Sequence, residues 1–176
     1  MAAEDTERAA RLLEMRWPEE NRSYESGRNL FFATGCAACH LAQEYGSTLG
    51  PDLSPGNQKG INSNRILQKL VNPDSIVEEQ FKAREVRLSD GRTIAGLPVY
   101  TANQVTIRPR DVRQAPVTVP VAEIASVRTP DISAMPPGLG NGLNEEELAD
   151  LVAFVQSGGD RARMAAPAGG GFGGGG

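Results

Sequence analysis

The residues with the most chemistry in this chain stand together. Gly35-Cys36-Ala37-Ala38-Cys39-His40 holds both cysteines and the only histidine of the 176 residues. Cys36 and Cys39 are three apart, which on a helical turn puts both side chains on one face. His40 follows at once. Three chemistries use such residues. Thiolates and imidazole can ligate zinc; paired thiols can cycle as a redox dithiol; and two thiols can add to the vinyl groups on one edge of a haem while the imidazole swings under the iron.

The donor count and the setting weigh these against one another. A structural zinc site wants four ligands, usually as two separated pairs, and this chain offers three candidates, all in one place. A thioredoxin-like dithiol expects a βαβ setting, whereas the stretch before Cys36 reads as helix. A disulfide between Cys36 and Cys39 would close too small a loop to add much stability. C-x-x-C-H is the spacing of c-type haem attachment. The expected cofactor is therefore one haem c with its iron, bound through two thioether links. Zinc, dithiol chemistry and the chance recurrence of a short motif are the alternatives.

A six-coordinate haem needs a second axial donor besides His40. The soft donors left are Met1, Met15, Met135 and Met164. Met135 sits in Ile132-Ser133-Ala134-Met135-Pro136-Pro137, a loop stiffened by its prolines and set ahead of the last long helix. A thioether paired with imidazole favours ferrous iron and raises the reduction potential. Met135 is the expected ligand. Met15 falls in a polar helix and Met164 in a glycine-rich tail, where neither is well held. In Gly50-Pro51-Asp52-Leu53, Pro51 could shape the floor beside the histidine, and a nearby carbonyl could take the His40 Nδ1 proton. A simple turn is the plainer reading of the same four residues.

These residues need elements to position them. Residues 4–17 read as a polar helix carrying Leu12, Leu13 and Trp17, stopped by Pro18. Residues 23–35 read as a helix capped by Ser23, with Gly27 and Phe31 one turn apart and Gly35 at its end. An irregular run over 46–60 is followed by a short helix over 61–73, with Ile66, Leu67 and Leu70 apolar and Pro73 after it. The period then changes to two. Residues 81–109 hold three strands with a turn signal at Asp90-Gly91 and a polar turn at Asn103-Gln104, and residues 115–129 add a fourth and a short fifth. Residues 144–158 return to helix, with Asn144 as cap, Glu145, Glu146 and Glu147 on the N-terminal dipole, Leu148, Leu151, Val152 and Val155 as the buried face, and Gly158 as the stop. The tail 166–176 is low in complexity.

Composition sets wide bounds. A net charge of −4 gives no argument for a nucleic-acid partner. Residues 80–130 carry eight Lys/Arg against four Asp/Glu, so the β-rich island is the basic part, and Arg108, Arg110 and Arg113 could form a docking face. No stretch reaches the roughly 18 apolar residues of a membrane span, and the N-terminus shows no signal-peptide pattern.

The order of helix, C-A-A-C-H, G-P-D-L, helix, S-x-M-P and final helix resembles the class I c-type cytochromes, of the bacterial haem-binding module type with a β-rich insertion before the Met loop. The resemblance covers roughly 22–78 and 129–158. It implies thioether links at Cys36 and Cys39, axial ligation by His40 and Met135, a Pro51 backbone oxygen orienting the imidazole, and Leu53 lining the haem pocket. It also implies that Gly27 and Phe31 cross Leu151 and Phe154. The expected architecture is α+β overall: a mostly α cytochrome c fold over 22–158, interrupted by the island at 80–130, after a helical extension at 1–21 and before a disordered tail at 159–176. The island also resembles a small SH3-like barrel.

The function implied is single-electron transfer between a redox donor and an acceptor protein, without enzyme activity, in the periplasm or another extracytoplasmic place. Such modules accompany larger dehydrogenase-like or membrane-associated complexes, so a docking subunit is one alternative. A haem sensor or enzyme with a labile sixth ligand is the other.

Overall fold

The computed structural model describes residues 3–14, 21–58 and 61–165. Met1, Met15, Trp17, Pro18 and the run 166–176 lie outside them. The chain divides into two compact units, residues 1–68 with 139–176, and residues 69–138.

The first unit contains α1 (Ala3–Glu14), α2 (Tyr24–Ala33), the two-residue strands β1 (Leu41–Ala42) and β2 (Tyr45–Gly46), α3 (Ser63–Val71), α4 (Glu145–Ser157) and α5 (Arg161–Ala165). The last three residues of α3 fall in the second unit. Its frame is α2 against α4. Ser23 caps α2 by accepting the Ser26 N–H at 3.2 Å. Asn144 caps α4 in a reciprocal box with Glu147, both bonds at 2.9 Å. The two helices approach closely at Gly27, where a Cβ would lie 2.4 Å from the Asp150 oxygen and 2.6 Å from Phe154 Cβ. Phe31 and Phe154 are fully buried with ring centroids 5.4 Å apart, and Tyr24 meets Phe154 edge-on at the same distance. Each such buried side chain contributes roughly 2–3 kcal/mol, against zero to about 1 for an exposed ion pair. Burial therefore decides this crossing, at whose end the buried Arg22 side chain pairs with Glu146 and Asp150.

Helix α1 docks by its cations. Arg8 donates to the carbonyls of Asn141 and Leu143, just ahead of α4, and Arg11 pairs with Glu145. Leu12 is buried, whereas Leu13 is exposed. Residues 161–165, expected within a disordered tail, are helical. Asp160 accepts the Ala162 and Met164 N–H groups and starts α5, so Met164 is helical.

The second unit is a five-stranded antiparallel sheet: β3 (Arg84–Leu88), β4 (Thr93–Tyr100), β5 (Gln104–Pro109), β6 (Val117–Pro120) and β7 (Ile124–Arg128), in the order β6-β5-β4-β3-β7. Alternation places Val86, Leu88, Val105, Ile107 and Val119 in one buried cluster. Asp90-Gly91 makes the first hairpin, with Gly91 N–H on the Leu88 carbonyl at 3.0 Å.

Two expectations about architecture are corrected. The chain is α+β, with five α-helices beside a five-stranded and a two-stranded sheet among the described residues, so a mostly α cytochrome c fold does not describe it. The island is also an open sheet and no closed barrel. β6 pairs only with β5 and β7 only with β3, and a register shift at Arg87/Leu88 bends the β3–β7 ladder.

Candidate functional site

The C-x-x-C-H run begins where α2 runs out. The Thr34 N–H closes the helix on the Leu30 carbonyl at 2.9 Å, and Gly35 turns the chain at φ 86°. Cys36–Ala38 then forms a single 3-10 turn. The Cys36 carbonyl accepts the Cys39 N–H at 3.1 Å and the His40 N–H at 2.9 Å, so the peptide of the first cysteine anchors the other two chemical residues. Neither cysteine is in a disulfide. Cys36 is buried, and burial pushes its thiol pKa up. Its Sγ lies 3.2 Å from Thr34 Oγ1. Thr34 Oγ1 already gives its proton to the Leu30 carbonyl at 2.7 Å, so Cys36 is the donor in that contact.

His40 is held from below by the loop that follows. The Pro51 carbonyl lies 2.8 Å from Nδ1. Burial lowers the imidazole pKa, which keeps the ring neutral. A neutral ring has one N–H, and a carbonyl can only accept. The proton therefore sits on Nδ1, and the lone pair sits on Nε2. The loop is itself fastened at several points. Gly50 N–H reaches the Cys39 carbonyl at 2.7 Å, Leu53 N–H the Leu41 carbonyl at 2.7 Å, and Ser47 N–H the His40 carbonyl at 3.1 Å. Gly46, at φ 105°, passes so close that a Cβ would lie 1.9 Å from the His40 oxygen. The β1–β2 ribbon that makes this approach was not expected from sequence. Two residues per strand are too few to show an alternating pattern.

Leu53 is half-buried. Its carbonyl accepts Gln58 Nε2, which also reaches the Val155 carbonyl of α4 at 2.8 Å. Asp52 closes the turn beside it. It accepts the Ser54 N–H at 2.8 Å and Asn57 Nδ2 at 2.7 Å, and the Ser54 hydroxyl, then these two donors, hold its pKa below the usual carboxylate range. The first unit thus brings Cys36, Cys39, His40, Pro51 and Leu53 into one turn and its supporting loop.

Met135 belongs to the second unit. It is half-buried, and its N–H donates to Ser133 Oγ at 3.1 Å. The run 131–134 lies along 81–83. The Ala83 N–H meets the Ile132 carbonyl and the Ala134 N–H meets the Phe81 carbonyl, both at 2.9 Å. Of the three arginines expected at a docking face, Arg110 is engaged by Asp74 and Arg113 by Asp111. The Asp111 pKa is lowered to about 2 by that contact.

No protein-family model matches the chain, and no curated protein matches it. Among the described residues, no group of three or more His, Cys, Asp or Glu side chains could hold a metal ion. With the β-rich α+β fold, these findings overturn the resemblance to the class I c-type cytochromes, and the chain is not assigned to that family. The same finding bears on zinc, because Cys36, Cys39 and His40 do not converge as ligands of one ion. No helix among the described residues is long and apolar enough to cross a membrane.

Proposed function

We propose that this chain carries one covalently attached haem at Cys36, Cys39 and His40 and passes single electrons between a donor and an acceptor protein. The observation that carries the reading is the 2.8 Å contact from His40 Nδ1 to the Pro51 carbonyl, directly after two cysteines on one turn. A lone pair presented on Nε2, next to two thiols outside any disulfide, suits a group bound by carbon–sulfur bonds and a single imidazole. It suits a metal ion bound by all three donors less well.

The residues divide the work. Cys36 and Cys39 would each hold the group through one carbon–sulfur bond, formed by addition of the thiol so that no oxidant is needed. His40 would hold the iron through Nε2, and Pro51 fixes the tautomer and would strengthen that donor. When bound, the haem supplies a site that stores and releases one electron. The reading includes an extracytoplasmic location, where haem is attached to such motifs, and no nucleic-acid partner.

The test is expression of the full chain in a host that attaches c-type haem. We expect a mass increase of one haem that survives denaturation, lost in Cys36→Ser/Cys39→Ser. We also expect a low-spin spectrum that resists carbon monoxide in the wild type. Ready carbon monoxide binding by the wild type would turn the reading to a sensor or enzyme. Absence of any covalent haem would sink it and return dithiol chemistry to the front.

A further inference from the structure

The two thiols of the Cys36–His40 turn are held differently, and one hydroxyl makes much of the difference. Thr34 caps the end of α2, with its N–H on the Leu30 carbonyl at 2.9 Å. Its Oγ1 gives its own proton to the same carbonyl at 2.7 Å, which fixes the side chain against its helix. That oxygen is left with lone pairs only, and Cys36 Sγ lies 3.2 Å from it. The Cys36 thiol hydrogen is therefore engaged by Thr34. Cys36 is also 7% exposed, whereas Cys39 is half-buried.

A reagent that attacks sulfur meets these thiols on unequal terms. Cys39 is partly open to it. Cys36 must first be uncovered, and its hydrogen must leave the Thr34 oxygen. The turn itself gives little help in this. The Cys36 carbonyl holds the Cys39 and His40 N–H groups, and the Gly35 N–H is held by the Phe32 carbonyl at 3.0 Å. Uncovering Cys36 therefore works against bonds at both ends of the residue, and buried thiols held in this way are slow to react.

We propose that Cys39 is the entry thiol of this site, that Cys36 reacts second, and that Thr34 is the positioning residue that sets the order by holding the Cys36 thiol as a donor. For attachment of haem this rests on the reading that both cysteines bind the group; for a simple electrophile it does not. The order has a use. A group tethered first at Cys39, beside His40, is kept next to Cys36 until the second thiol is uncovered.

The experiment uses the full chain made without haem, with iodoacetamide as the electrophile. A carbon–sulfur bond forms, the carbon–iodine bond breaks, iodide leaves and the thiol proton goes to buffer. Labelling at each cysteine is timed by peptide mass mapping. The variants are Thr34→Val, Thr34→Ser and Asn144→Ala, the last of which loosens the cap of α4 and reports on simple destabilisation. We expect Cys39 to react roughly tenfold faster than Cys36 in the wild type, and the two rates to converge in urea. Thr34→Val should raise the Cys36 rate roughly fivefold, as for loss of one hydrogen bond, and by more than Asn144→Ala does. Thr34→Ser keeps the hydroxyl and should match wild type. Equal rates in the folded wild type, or a faster Cys36, would overturn the order. A Cys36 rate in Thr34→Val no higher than in Asn144→Ala, or below wild type as for a hydroxyl that activates the sulfur, would remove Thr34 from it. A second arm uses a host that attaches c-type haem, where Cys36→Ser should retain more covalent haem than Cys39→Ser. The reverse, or equal loading, would refute the order for attachment. If the wild type takes no haem while the labelling order holds, the functional reading fails and the order of the thiols stands.

Discussion

His40 and Met135 are held in opposite ways. The imidazole sits within a cradle made almost wholly of nearby backbone: the Cys36, Cys39 and Pro51 carbonyls, and a glycine pressed against its own carbonyl. The Met135 segment is held by side chains that come from 25 and 61 positions upstream, Arg110 and Asp74. The first arrangement is local and rigid and depends on the shape of the chain. The second depends on charges and hydroxyls meeting after a sheet has formed. The imidazole is thus fixed by short-range contacts, and the Met135 segment can be loosened one side chain at a time.

Substitutions that insert atoms into the local cradle should do the most damage. Gly46→Ala puts a methyl group 1.9 Å from the His40 oxygen at a positive φ and should cost about 3 kcal/mol. A urea midpoint within error of wild type would show that the β1–β2 ribbon is soft and the contrast overdrawn. Gly27→Val tests the crossing on which the cradle stands. With Asp150 and Phe154 2.4 and 2.6 Å from the new Cβ, we expect a loss of about 2–3 kcal/mol, read by the same titration.

Asn144→Ala removes one half of the capping box of α4 and should cost about 1 kcal/mol, visible as a lower thermal midpoint. The smallest effect belongs to the second unit. Asp131 is held below the usual carboxylate range by Lys82, which it meets at 2.8 Å. Its folded value is lowered, so the pair supports the fold above the ordinary carboxylate range, and that support is lost as pH falls through the lowered value. Lys82→Ala should move the Asp131 titration upward by NMR, and an unchanged titration would remove the pair from the account.

The same contrast explains what could be read from the sequence. Ser23, Gly27, Phe31, Asn144 and Gly158 announce helices and their crossing, because caps and one-turn spacings are local signals. Val105-Thr106-Ile107 shows its period-two pattern for the same reason. The turn at Cys36–His40 was legible because its three donors are adjacent. The hydrogen bonds that join Asp74 to Arg110 and Ser133 were not, since nothing in the residues around Asp74 marks a partner 59 positions on. The open ends of the sheet were equally hidden, because edge pairing is decided by β6 and β7, which are short. Helix α5 did leave a signal, an Asp160 cap before Arg161-Ala162-Arg163, masked by the glycines that flank it.

The division of the chain has a consequence for its birth. The sheet unit is one continuous stretch, but the unit holding His40 is completed only when residues 139–157 arrive to place α4 on α2. A ribosome adding roughly 5–20 residues each second would leave the unit that holds the two thiols incomplete for on the order of ten seconds after they are made.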